Sequence, residues 1–124
     1  MREDEEGDVR MLRIYTGDDG QSHFEEIPIE LTDQGGFGRI SAMLPARGVM
    51  FREVDGDYAL DFHNAPRRQL VVNLTGSVEL EVGDGSVRRL GPGDILLAED
   101  TAGQGHKSRA VDGEPRRCLF IPLD

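Results

Sequence analysis

His63-Asn64-Ala65-Pro66-Arg67-Arg68-Gln69-Leu70-Val71-Val72-Asn73-Leu74-Thr75-Gly76 is the stretch on which the reading of this chain turns. A histidine, two arginines and an amide precede an apolar run rich in β-forming residues, and a glycine closes it. Further on, after Gly91-Pro92-Gly93-Asp94, comes His106. Two histidines on neighbouring strands of a small barrel can face one cavity. Whether they hold a metal there is the question the sequence raises.

Working outward, short β-like runs recur between clusters of Gly, Asp and Pro, and no long window keeps the helical spacing of apolar residues. Strands are expected over 9–15 and 23–31, joined by the turn 17–20, with Pro28 marking the second as an edge or bulged strand. Residues 32–38 read as a flexible glycine-rich loop. Further strands are expected over 40–44, 49–54 and 58–63. Residues 69–75 form a strand, and 77–82 alternate cleanly, with Val78, Leu80 and Val82 on one face and Ser77, Glu79 and Glu81 on the other. Gly83-Asp84-Gly85 is a hairpin turn into 86–90. Residues 91–94 turn the chain into 95–98, a polar loop covers 99–105, and strands follow over 106–111 and 117–123. Many short strands at regular spacing predict an all-β sandwich or barrel.

A chain of 124 residues is one domain, large enough to bury a core. Its net charge of −10 lacks the basic footprint that nucleic acid or an anionic membrane requires. Residues 1–8 carry five acids against one arginine and read as a flexible acidic tail ahead of a single domain over 9–124. The single cysteine, Cys118, excludes an intrachain disulfide and sits in an apolar stretch, where a free cysteine is usually core. With no apolar leader run and no membrane-length run, a soluble cytoplasmic protein is expected.

These residues resemble the cupins, small barrels of the jelly-roll type, and most of all the compact single-domain bacterial cupins. The first cupin motif runs Gly, His-X-His, three or four residues, Glu, six residues, Gly. Here Gly56 precedes His63-Asn64-Ala65, then three residues, Gln69, six residues and Gly76. The second motif runs Gly, Pro-X-Gly, two residues, His, three residues, Asn. Here Gly93 is followed by Thr101-Ala102-Gly103, two residues and His106, with Ala110 in the place of the asparagine. The resemblance covers residue 56 to the C-terminus and, more loosely, the N-terminal hairpin with Ser22-His23-Phe24-Glu25.

The resemblance implies an all-β fold, a cupin jelly-roll β-barrel with an N-terminal β-hairpin, and a homodimer. Cupins typically bind a divalent metal through three histidines and a glutamate. Carried over position by position, the metal ligands here would be His63, Gln69 and His106, with Ala65 replacing a histidine and Gln69 a glutamate. The ion would be Zn, Ni, Mn, Fe or Cu. Asp61, Glu99 and Asp100 are nearby carboxylates that complete the set if their loops fold inward.

Three readings follow for a small-molecule site inside the barrel. The first is a metal-dependent enzyme acting on a small anionic substrate, the ion polarising a substrate oxygen. The second is a binding or sensing module without turnover. The third is a metal-free isomerase or lyase with His63 or His106 as general base. In each, Arg67 and Gln69 are the substrate-binding candidates, and Arg68 competes with Arg67 for the cavity-facing position. His23 reads as a surface or interface residue, lining the site only if the N-terminal hairpin caps the barrel. Arg88-Arg89 and Arg116-Arg117 read as local salt-bridge partners.

Overall fold

The computed structural model describes residues 2–3 and 9–124. The acidic tail expected over 1–8 falls mostly outside them. Arg2–Glu3 (β1) pairs with Arg10 and Val9 of the next strand.

The following strands are β2 Val9–Thr16, β3 Ser22–Ile29, β4 Thr32–Asp33, β5 Arg39–Ile40, β6 Met50–Val54, β7 Ala59–His63 and β8 Gln69–Thr75. They continue with β9 Val78–Glu81, β10 Val87–Leu90, β11 Ile95–Glu99, β12 His106–Ala110 and β13 Arg116–Pro122. There is no α-helix among the described residues; a single 3-10 turn spans Gly35–Phe37. No helix among them is long and apolar enough to cross a membrane.

Strands β6 to β13 pair as one antiparallel ribbon folded back on itself. β9 pairs β10 at the hairpin tip, β8 pairs β11, β7 pairs β12, and β6 pairs β13. Alternate rungs of the ribbon fall in opposite sheets. One sheet runs β11-β8-β13-β6 and the other β10-β9-β12-β7. This rolled ribbon is a jelly roll, in the barrel-like sandwich expected from the sequence. The N-terminal hairpin extends the larger sheet: β2 adds to β11 in parallel, Leu12 opposite Leu96, and β3 lies outside β2. Among the described strands β3 pairs only with β2, so Pro28 sits on an edge strand, as its missing N–H demands.

The alternation of β9 decides the inner face. Val78, Leu80 and Val82 are buried, while Glu79 and Glu81 point outward and pair with Arg89 and Arg109. Leu12, Ile14, Leu90, Leu96, Ala98 and Cys118 complete the core between the sheets. Each buried Val, Leu or Ile among them contributes about 1.5–3 kcal/mol by leaving water.

Residues 32–38 are not the loop expected. β4 and β5 form a two-rung hairpin around the 3-10 turn, held by Thr32 opposite Ile40 and Asp33 opposite Arg39. The strand expected over 40–44 ends at Ile40; beyond it Met43 and Leu44 are exposed, and the chain returns by a bridge from Ala46 to Leu123. The reason is local: the ladder ends with the pair Thr32–Ile40, and the Ala42 carbonyl accepts instead from the Ser41 hydroxyl at 2.8 Å.

Candidate functional site

β7 and β12 lie side by side with His63 opposite His106. Their rings sit 4.6 Å apart between centroids, tilted by 53°. A glycine allows this approach. A Cβ on Gly105 would fall 2.0 Å from the His63 carbonyl oxygen, and its φ of +79° is one that a side chain disfavours. Both rings line a cavity of about 230 Å³ between the two sheets.

Each imidazole is anchored through the same nitrogen. His63 Nδ1 lies 2.8 Å from the Asp61 carbonyl oxygen, which can only accept, so Nδ1 carries the proton. His106 Nδ1 lies 2.5 Å from Asp100 Oδ2 and donates to that carboxylate. In the neutral rings Nε2 is therefore the lone-pair nitrogen of both. Asp100 is fully buried and also accepts from Ser22 Oγ at 2.6 Å, so the N-terminal hairpin reaches the site. Ala65, whose N–H donates to the Asp100 carbonyl, presents only a methyl to the cavity.

Gln69 is 3% exposed and lines the cavity, and its Oε1 accepts from Arg67 Nη1 at 3.1 Å. Arg67 itself is exposed and is not part of the cavity wall; it touches the site only through Gln69. Arg68 is also turned away, bonded to Glu99. His23 lines an open surface depression instead, its Nε2 3.0 Å from Asp19 and its ring beside Tyr15.

The carboxylates considered for a metal take other work. Asp100 orients His106, Glu99 binds Arg13 at 2.6 Å as well as Arg68, and Asp61 is exposed. Burial alone would raise the Glu99 pKa, but hydrogen bonds from Arg68 and Arg13 outweigh it and hold the carboxyl below its usual range. Among the described residues no three His, Cys, Asp or Glu side chains converge as metal ligands. The cavity wall offers two imidazoles and one neutral amide, whose oxygen already faces a guanidinium. This set does not fit three histidines and a glutamate.

No protein family matches the chain, and no curated protein does. Solved structures similar to it include protein NMB1881 from Neisseria meningitidis, at 16% identity over 61% of this chain and 72% of that one, with a TM-score of 0.48. A conserved protein of unknown function from Streptococcus pyogenes, SPY1581, is similar at 16% identity over 69% and 71%, with a TM-score of 0.45. A Salmonella typhimurium protein described as ethanolamine utilization protein Q is similar at 10% identity over 94% and 96%, with a TM-score of 0.48. At these values the strand order itself, not the likenesses, carries the fold.

Four polar cavity residues escape the motif spacing: Arg52, Tyr58, Ser108 and Arg116. Tyr58 Oη and Ser108 Oγ are 2.7 Å apart. Arg52 lies over the Tyr58 and Phe120 rings, at 5.1 and 5.0 Å, and Arg116 lies 5.8 Å from the Tyr58 centroid. Arg116 is not the surface partner expected. It is 5% exposed, whereas Arg117 beside it reaches Glu53 at 2.7 Å. The signal was in the alternation: Phe120, Cys118 and Arg116 share one face of β13, so the inward face of Cys118 extends back to Arg116.

Proposed function

We propose that the barrel binds a small molecule in the cavity between its sheets, with the His63–His106 pair as the end that meets the ligand's polar or reacting group. The observation that carries this reading is the shared anchoring of the two rings. Both Nδ1 atoms are tied to fixed acceptors, which leaves two Nε2 lone pairs at the cavity wall. Without a metal, the chemistry available there is proton transfer: one Nε2 takes a proton from the ligand and returns it to another atom. Asp100 acts as a positioning residue for His106, and the largely apolar walls limit competing water. The general reaction class is isomerisation or elimination; without turnover the same geometry is a binding or sensing site.

A second reading is favoured by the same lone pairs. A divalent ion would be held by His63 Nε2 and His106 Nε2, with Gln69 Oε1 as a neutral third ligand, and would supply Lewis acidity to a ligand oxygen. The family resemblance supports it and the missing carboxylate opposes it.

A library of small neutral and charged fragments, screened by protein-observed NMR, tests the primary reading. Binders should shift the methyl signals of Val71, Leu80 and Leu96 in the wild type and not in an Ala98→Phe variant that fills the cavity. A library that moves only surface resonances would overturn it. Metal analysis of untagged protein tests the second: stoichiometric metal lost in both His63→Ala and His106→Ala supports it, and protein indifferent to added divalent ions refutes it.

Homodimerisation belongs to the same proposal. β6 pairs only with β13 among the described strands, leaving a free edge. Phe51 on it is 83% exposed and Met43 nearby in the chain 92%, an apolar surface that a second copy would cover. Light scattering that gives a monomer mass at all concentrations would refute this.

A further inference from the structure

We propose that Arg116, with Arg52 beside it, forms an oxyanion subsite inside the barrel, and that the ligand of the cavity is a small organic carboxylate. This rests on the cavity-binding reading above and adds the ligand's class.

Arg116 lines the cavity and is nearly inaccessible, and among the described residues its Nε has no hydrogen-bond partner. Among the described residues its Nη2 finds only the Cys118 sulfur, at 3.9 Å. Among the described residues no carboxylate pairs with Arg116 or Arg52. Four other arginines, Arg13, Arg68, Arg109 and Arg117, each reach a glutamate, and the exposed Arg67 reaches Gln69. The chain has 24 acidic residues against 14 basic ones, so two cavity guanidinium groups without a carboxylate are not explained by a shortage of acids; Arg52 has only the Tyr58 hydroxyl and the Cys118 sulfur as side-chain hydrogen-bond partners among the described residues. A guanidinium keeps its charge, and an interior holds such a charge at high cost unless something pairs with it.

Two like charges also share one ring here. Both guanidinium groups lie near Tyr58. Burial first, and then the neighbouring Arg52, pull the Arg116 pKa below its ordinary value, partly offset by Cys118. An anion between them would relieve both effects, and the planar fork of arginine matches a carboxylate through two parallel hydrogen bonds.

The walls give the rest of the ligand. Val71, Leu80, Leu90, Leu96 and Phe120 surround the space and favour an apolar body over a bare inorganic ion. The arginines gather around the Tyr58 ring, just before β7, and the Tyr58 hydroxyl meets Ser108, two residues along β12 from His106. A carboxylate at Arg116 therefore directs the body of the molecule toward the two Nε2 atoms.

The test titrates the protein with butyrate, hexanoate and benzoate, with the matching amides, and with inorganic phosphate, following cavity methyl signals by NMR. The acids should bind in the cavity at least tenfold more tightly than the amides. Arg116→Met should weaken the acids by about tenfold to a hundredfold. It should leave the thermal midpoint unchanged or higher, because an apolar side chain replaces an unpaired buried charge. Arg52→Gln, at a half-buried position, should also weaken the acids, and it serves where Arg116→Met fails to fold. Acids and amides that enter the cavity equally well, or acids indifferent to both variants, would overturn the subsite and leave the cavity reading standing. Tight binding of phosphate with no preference for the organic acids would overturn the carboxylate assignment. Probes that never reach the cavity would overturn both.

Discussion

Replacing Asp100 by alanine removes the one acceptor shared by His106 Nδ1–H and Ser22 Oγ–H, at 2.5 and 2.6 Å. His106 is 6% and Ser22 2% exposed, so water does not simply take the carboxylate's place. A buried donor left without a partner costs about 1–3 kcal/mol, so the two together cost about 2–6 kcal/mol. Part is returned, because Asp100 Oδ1 is itself buried without a partner and its desolvation is relieved with it. The expected net loss is about 2–4 kcal/mol, a large share of a typical domain's stability. Asp100→Asn keeps one acceptor oxygen and should lose about half as much. Urea unfolding at neutral pH, followed by circular dichroism, reads this directly. With a slope of about 2 kcal/mol/M the alanine midpoint should fall by about 1–2 M. Ser22→Ala should cost less in the Asp100→Ala background than in the wild type, a coupling of about 0.5–3 kcal/mol. An alanine variant within about 0.5 kcal/mol of the wild type, the scatter of ordinary surface changes, would refute the buried network.

Three further outcomes follow from the same geometry. Gly105→Ala should destabilise by more than the 1–2 kcal/mol of left-handed backbone strain alone, because its methyl would meet the His63 carbonyl, and NMR should show the two histidine rings displaced. An undisturbed His63 resonance would count against that contact. Glu99 is held below its ordinary pKa, so its pairing stabilises the fold fully above about pH 4.3 and is lost as the pH falls through the lower, folded value. Glu99→Gln should therefore be less stable than the wild type at pH 7, and the difference should shrink in thermal unfolding as the pH is lowered through that folded value; a constant difference would refute the linkage. Leu12→Ala, at a residue 1% exposed, should cost about 2–5 kcal/mol in urea unfolding, and a loss under about 1 kcal/mol would mean that β2 does not pack on β11.

Much of the fold was legible because period-two alternation and glycine turns are local signals. Residues 69–75 and the 83–85 hairpin read correctly from their own composition. The β4–β5 hairpin did not, because two rungs leave no periodicity to detect. His63 and His106 emerged from motif spacing, and the register sets them side by side. Arg67 was favoured as a pocket residue for its place beside the motif, yet its side chain ends on Gln69 from outside the cavity wall. Arg116 was passed over because a charged residue at a strand start looks like a turn; only the inward face of Cys118, set by long-range pairing of β13 with β8 and β6, turns it inside. Local chemistry identifies candidates, and nonlocal register decides which of them face the cavity.

The parallel seam between β2 and β11 has a consequence for how the chain is made. The hairpin of β2 and β3 is synthesised early, but the strand that pairs with β2 alongside Leu12 and Ile14 arrives only with residues 95–99. Until then one edge of the hairpin stays unpaired by it, and Ser22 waits for Asp100. Contacts this distant along the chain slow assembly and prolong the exposure of apolar surface. The site's histidine support is thus among the last parts of the molecule that a growing chain can complete.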